Sequence, residues 1–294
     1  MAATTTSLTA IQTICRAFER VAPLRLAEKW DNVGLLLEAP TPRPNANEVL
    51  VTIDLTTAVV EEALSSPTSV IIAYHPPIFK GLTSLTLQNP LQRSLLRCVE
   101  KGISIYSPHT SIDSVWGGVN DWLADVIYGA QKTGGARTSG ACKALVGEKL
   151  DKEGESEGAE GRLLTFEKPV TMEQLETRIK KGLNLKHIQV GYGTLDAKKA
   201  PIRTVAICAG SGGSMLVGKN ADLYFTGEMS HHEILASVAS GRNVILCGHD
   251  NTERGYLPTL AQRIQEELKT IPGDVADKLK VVVSAADRHP LQTV

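Results

Sequence analysis

The chain has 294 residues, 42% hydrophobic and 21% charged, which is enough for one large or two medium α/β domains. Lys+Arg 31 against Asp+Glu 32 gives a formal net charge of -1, so charge alone carries no nucleic-acid signal. No apolar run approaches the ~20 residues of a membrane-crossing helix, and five scattered cysteines without C-x-x-C spacing fit free thiols in a reducing compartment better than a disulfide framework.

The first helix is expected over residues 9–21, ending before Pro23. Its N-terminal flank is rich in Ser and Thr and lacks an acidic residue before Glu19, which suits a mitochondrial leader. Against that, the apolar spacing of residues 8–18 is helical and runs directly into the domain, so the expectation is a cytoplasmic protein. A short strand follows at residues 35–37, a Pro-rich loop at 41–45, and a strong strand at 49–53 ending in Asp54. A helix over 57–64, a strand at 70–74, a helix over 91–101, a strand at 103–107 and a helix over 118–127 complete a β-α-β-α alternation. That order predicts a mostly parallel sheet with helices on both faces.

The middle of the chain has a different texture. Residues 147–161 are Gly-rich, polar and acidic, and are expected to form an exposed loop. A strand at 162–166, a helix from Thr171 to Lys181 and a strand at 187–190 read as part of a smaller second domain. The alternation then returns with strands at 204–208, 221–226 and 243–247, a helix over 257–269 and a late strand at 281–283. The expected division is a metal-binding domain of residues 1–127 and 246–294 and a second α/β domain of 128–245.

Three of these strands share one plan: an apolar run, then a histidine just past its end. The histidines are His75, His109 and His249, and two have a carboxylate four residues on, Asp113 and Glu253. Ligands of open α/β sheets sit outside the carboxyl ends of the strands. Positions i and i+4 of a helical turn lie on one face, close enough for two ligands of one metal or of two adjacent ones. Imidazoles and carboxylates without thiolates suit Zn²⁺, Mn²⁺, Fe²⁺ or Ni²⁺. Five ligands exceed what one tetrahedral ion takes, so two divalent ions bridged by a carboxylate are expected.

Other residues are candidates for substrate contact. Gly210, Gly212 and Gly213 lie in a turn between a strand and a helix, where backbone N–H groups can cradle a phosphate or simply make a tight turn. Glu228, His231 and His232 stand at the start of another helix, as surface groups or as proton-transfer groups facing the cleft. Arg254 can neutralise a phosphate or orient Glu253, and Asp31 and Asn32 can cap backbone amides.

Five ordered motifs carry a resemblance that covers nearly the whole chain. They are Trp30-Asp31-Asn32-Val33-Gly34-Leu35, Tyr74-His75-Pro76-Pro77-Ile78-Phe79, Ser107-Pro108-His109-Thr110-Ser111-Ile112-Asp113, Thr226-Gly227-Glu228-Met229-Ser230-His231-His232-Glu233 and Gly248-His249-Asp250-Asn251-Thr252-Glu253-Arg254-Gly255. Together they resemble the Nif-three-like family, whose bacterial members are labelled GTP cyclohydrolase I type 2 homologues. The resemblance implies two interlocked α/β domains, a dinuclear metal site and a homohexamer. It implies His75, Asp113, His249 and Glu253 as ligands, Glu253 as the bridge, and His109 as a ligand or a neighbour of one. Many bacterial members have two adjacent histidines where this chain has Tyr74-His75, which bears on the second ion. The expected function is a metal-dependent hydrolase of a phosphate ester or nucleotide, with a cyclohydrolase reaction ranked lower. The alternative is a metal-stabilised scaffold that binds proteins such as transcriptional regulators.

Overall fold

The computed structural model describes residues 8–129, 142–194 and 196–291. The Ser/Thr-rich start weighed above as a leader falls largely in residues 1–7, outside the described residues. The strands in chain order are β1 Gly34–Leu37, β2 Glu48–Thr52, β3 Thr68–Ala73, β4 Ser104–Ser107, β5 Cys142–Leu150, β6 Ser156–Thr171, β7 Gln189–Gly191, β8 Pro201–Ser211, β9 Leu223–Glu228, β10 Asn243–Leu246 and β11 Lys280–Val283. The helices are α1 Ala10–Val21, α2 Thr57–Ser65, α3 Pro90–Glu100, α4 Thr110–Ser114, α5 Val119–Tyr128, α6 Met172–Gly182, α7 Gly213–Leu216, α8 His231–Ala239, α9 Leu257–Leu268 and α10 Asp274–Lys278. The chain forms two compact units, one of Met1–Ile112 with Leu257–Val294, the other of Asp113–Tyr256.

The first unit is built on a five-stranded sheet of order β1-β4-β3-β2-β11. Three of its pairings are parallel and only β1 runs antiparallel to its neighbour. The central strand β3 is buried at every position, as a continuous Val-Ile-Ile run covered on both faces requires. Helix α1 starts at a capping box in which Thr9 and Gln12 satisfy each other's backbone amides. Its apolar face buries Ile14, Ala17 and Phe18, and Phe18 stacks on Tyr106 of β4 at 4.5 Å. On α2 and α3, Val59, Val60, Leu95 and Cys98 close a core against Leu50, Ile71 and Ile105.

The second unit has a six-stranded sheet of order β5-β6-β8-β9-β10-β7. Here the mostly parallel expectation is corrected. Only β8/β9 and β9/β10 are parallel; β5/β6, β6/β8 and β7/β10 are antiparallel. For β5/β6 the reason is the 147–161 segment, which is not a loop through most of its length. β5 and β6 form a hairpin whose tip is residues 151–155, and Gly158 and Ala159 are buried. A side chain at Gly158 would collide with the Ser114 carbonyl oxygen, so glycine is what lets that strand approach. Arg162, fully buried in β6, anchors the hairpin. It pairs with Asp121 at 2.7 Å, donates to the carbonyls of Ser114, Val115 and Ala159, and lies over Trp116. Its charge is therefore compensated and hydrogen-bonded where an isolated guanidinium would be very costly.

Candidate functional site

In the first unit, the ladder between β2 and β3 continues past the strand ends. Tyr74 and His75 donate their amides to Thr52 and Ile53 at 2.9 and 3.0 Å, which fixes the backbone from which both rings project. The His75 Nδ1 lies 2.9 Å from Oδ1 of Asp54, the residue at the matching exit from β2. A carboxylate on Nδ1 selects the tautomer that offers Nε2 to a metal.

His109 follows β4 at a backbone φ of 31°, in the left-handed region that few non-glycine residues adopt. Its Nδ1 lies 2.8 Å from Oδ2 of Asp31. The Asp31 side chain is fully buried and also accepts from the hydroxyl and amide of Thr110 at 2.6 and 3.2 Å. Burial works to raise its pKa, but the hydrogen bonds from His109 and Thr110 and the charge of His109 prevail and hold the carboxyl below its ordinary value. The His75 and His109 rings meet edge to face with centroids 5.4 Å apart. Tyr74, almost fully buried, sits edge-on to both, at 5.3 and 5.9 Å.

In the second unit, β10 delivers His249 by the same device. Cys247 and Gly248 donate to Thr226 and Gly227, continuing the ladder with β9, and Gly248 turns the chain at φ 85°. A short 3-10 turn, Asp250–Thr252, then carries the chain to Glu253. The spacing of four does what its periodicity predicts: His249 Nε2 lies 3.4 Å from Oε1 of the buried Glu253. The other ring nitrogen, Nδ1, lies 3.1 Å from Glu228 at the end of β9.

Space for this pair is made by glycine. A Cβ on Gly210 (φ 63°) would stand 2.7 Å from Glu253 Oε1 and 2.9 Å from His249 Nε2. A Cβ on Gly227 would meet the His249 Cα at 2.8 Å. Gly210 is itself tied in place, donating its amide to Thr252, whose hydroxyl donates to the His249 carbonyl.

The remaining candidates are placed as follows. Asp113 lies in α4, half-buried, and belongs to the second unit; its backbone carbonyl accepts from Asn120 at 3.0 Å. Burial raises the pKa of the Cys208 thiol, and the carboxylates of Asp113, Glu253 and Glu160 raise it further. Glu228, His231 and His232 are exposed, and the two histidine rings are 5.5 Å apart. Gly212 caps the four-residue α7, with Thr226 and Cys208 where its side chain would be, and Gly213 faces the carboxylate of Glu233. These glycines permit close packing. Arg254 pairs with Asp250, at 3.2 Å from Nε, and Asp250 accepts it one helical turn away. Asp31 was expected as a capping residue and does accept the Thr110 amide, but its grip on His109 and that of Asp54 on His75 were not anticipated. For Asp54 the available signal is an acidic residue at the exit of a neighbouring parallel strand, whereas Asp31 precedes β1, which runs antiparallel to β4, and carries no such signal.

The donor types in each unit suit a divalent ion: imidazoles and carboxylates, with ring nitrogens oriented by acidic partners and, in the second unit, room held open by Gly210. Among the described residues, no helix is long and apolar enough to cross a membrane.

Comparison with known proteins bears on this site. Residues 9–290 match the family model described as Duf34/NIF3 (NGG1p interacting factor 3). The chain is 44% identical over 283 residues to "Protein NIF3 homolog" of Schizosaccharomyces pombe, covering 95% of this chain and 96% of that protein. It is 37% identical over 292 residues to "NGG1-interacting factor 3" of Saccharomyces cerevisiae, covering 95% of each. The crystal structure of a Bacillus cereus protein related to NIF3 superposes with a TM-score of 0.75 at 20% identity, covering 96% of this chain and 98% of that one, which establishes a shared fold.

Proposed function

The chain belongs to the Duf34/NIF3 family, and from that premise we propose that it is a metal-dependent hydrolase of a phosphate ester or nucleotide. Its proposed metal ligands are those the sequence pattern singles out, with His75 from the first unit and His249 and Glu253 from the second. His109 and Asp113 would add ligands for a second ion, and Glu253 is the carboxylate that would be shared. The observation that supports this most directly is a repeated one. Each of the three strand-end histidines presents Nδ1 to a carboxylate, His75 to Asp54, His109 to Asp31 and His249 to Glu228. One such pair is common; three at matching strand exits point to Nε2 as the working atom of every ring.

A divalent ion held by these residues would supply Lewis acidity and make a bound water more acidic. The protein's own contribution is orientation. Asp54, Asp31 and Glu228 hold the imidazoles in one tautomer, and Gly210 keeps side chains away from His249 and Glu253. Glu228, His231 and His232, exposed at the β9–α8 junction, are the groups available to pass protons or contact substrate.

A second reading has one observation in its favour: the yeast relative's name describes a protein partner. In that reading the metal stabilises a scaffold for proteins such as transcriptional regulators, and no chemistry follows. Elemental analysis with a phosphate-ester and nucleotide screen, with and without Mn²⁺, separates the two. The hydrolase reading expects bound metal, Mn²⁺-stimulated turnover, and loss of both in His249→Ala and Glu253→Ala with the circular-dichroism spectrum retained. Metal at wild-type stoichiometry in Glu253→Ala removes the bridging role. Metal without turnover of any ester favours the scaffold.

A further inference from the structure

Two large aromatic side chains of the first unit are exposed beside the proposed ligands. Trp30 is 63% accessible and Phe79 48%. Their ring centroids are 6.1 Å apart, tilted at 59°. Both rings meet His109 in edge contacts, with centroids at 6.2 and 6.4 Å. Leaving an indole and a phenyl ring in water forgoes the stabilisation that burial would bring.

The exposure is built in. The Trp30 turn is held from below: Asp31 binds His109 and Thr110 through its buried carboxylate, and Glu28 donates its amide to the Thr110 hydroxyl at 2.9 Å. Asn32 donates from its side chain to the Ile78 carbonyl, which ties the Trp30 turn to the loop carrying Phe79. The two rings thus stand on cross-linked loops. Each ring also has an exposed lysine next to it in the chain, Lys29 beside Trp30 and Lys80 beside Phe79.

We propose that Trp30 and Phe79 form the recognition corner for a planar heteroaromatic ring, the base of a nucleotide, with Lys29 and Lys80 supplying positive charge for its phosphate. The proposal rests on the metal-dependent phosphate-ester reading and narrows its substrate class. Aromatic faces stack on any base, so the corner selects for the presence of a ring more than for its identity. A cation near an anionic group and a ring face near a base are what a nucleotide requires and a simple sugar phosphate uses only in part. His109, in edge contact with both rings, places that ligand beside a proposed metal ligand.

Calorimetric titration of the full-length, metal-loaded protein with GMP and with ribose 5-phosphate tests this, with metal content measured on each sample. Wild type should bind GMP about tenfold more tightly than ribose 5-phosphate. Trp30→Ala should lose about that factor for GMP and leave ribose 5-phosphate unchanged, while Trp30→Phe keeps most of it. Lys29→Ala with Lys80→Ala should weaken both probes together. Equal wild-type affinities, no binding of GMP, or equal loss of both probes in Trp30→Ala overturns the proposal. So does a change of oligomeric mass in Trp30→Ala with the preference for GMP intact, which would assign the rings to a protein contact. These failures leave the metal reading standing as long as His249→Ala still sheds metal. Conversely, wild type without metal but with the GMP preference overturns the metal reading alone.

Discussion

The histidines of the first unit are oriented by carboxylates from distant parts of the chain. Asp54 precedes His75 by 21 residues, and Asp31 precedes His109 by 78. In the second unit one partner of His249 is local, Glu253 four residues on, and another, Glu228, comes from a neighbouring strand. The first unit positions its imidazoles by adding hydrogen bonds, whereas the second does so largely by removing side chains, since Gly210 and Gly227 clear the space its pair occupies. An orienting hydrogen bond can be weakened by degrees, but a steric clearance is either present or lost.

The largest effect should therefore come from Gly210→Ala. The new methyl collides with Glu253 and His249 and is strained at φ 63° besides. Metal affinity should fall by ~100-fold or more, with about 2 kcal/mol of stability lost in urea titration. Gly218→Ala is the control, because that residue has a similar φ of 82° and open space where its side chain would go. It should cost about 1 kcal/mol and leave metal binding alone. Equal loss of metal in both variants would mean that strain, not clearance, governs the site.

In the first unit, Asp31→Asn should destabilise by about 2 kcal/mol at neutral pH, since a buried charged acceptor loses strength against three donors. The folded state holds this carboxyl below its ordinary pKa, so its contribution is present above the unfolded value near 3.9 and is lost as pH falls through the lower folded value. Wild type and variant should converge in acid in a pH series of denaturation curves. A constant gap down to pH 2 would show that the charge of Asp31 is not what stabilises.

A graded effect is expected at Asp54→Asn, which keeps the shape but weakens the carboxylate hold on His75 Nδ1. Metal affinity should drop ~10-fold with stability nearly unchanged, because Asp54 is partly exposed. An affinity equal to wild type would remove Asp54 from the site.

The smallest change lies away from the ligands, on α5. Burial, and next the carboxylate of Asp121 one turn earlier, push Asp125 up to about 6. A carboxyl raised in the folded state costs stability above that pH, and the cost vanishes below the unfolded value near 3.9. Asp125→Asn should thus stabilise by about 1 kcal/mol at pH 7.5, after allowance for solvent screening, and by nothing near pH 3.5. Destabilisation at pH 7.5 would show that Asp125 makes a favourable contact there.

The regular elements of the first unit were readable because their signals are local. The Thr9–Gln12 capping box, the Val70-Ile71-Ile72 run and the glycine stop at Gly102 each act within one turn or strand. The hairpin of β5 and β6 was not readable. Its Gly and Glu content imitates a solvated loop, and what anchors the pair of strands is a fully buried Arg162, three of whose partners lie 41 to 48 residues away.

For the candidate site the same division holds. His75, His109 and His249 at strand exits, and the His249–Glu253 spacing, followed from the amino-acid sequence alone, because strand ends and helical turns are short-range geometry. The pairing of each histidine with its carboxylate, the clearance at Gly210 and the exposure of Trp30 were decided by the tertiary structure. Each depends on which strands become neighbours, and sheet order is set by the packing of the whole unit and not by any single segment.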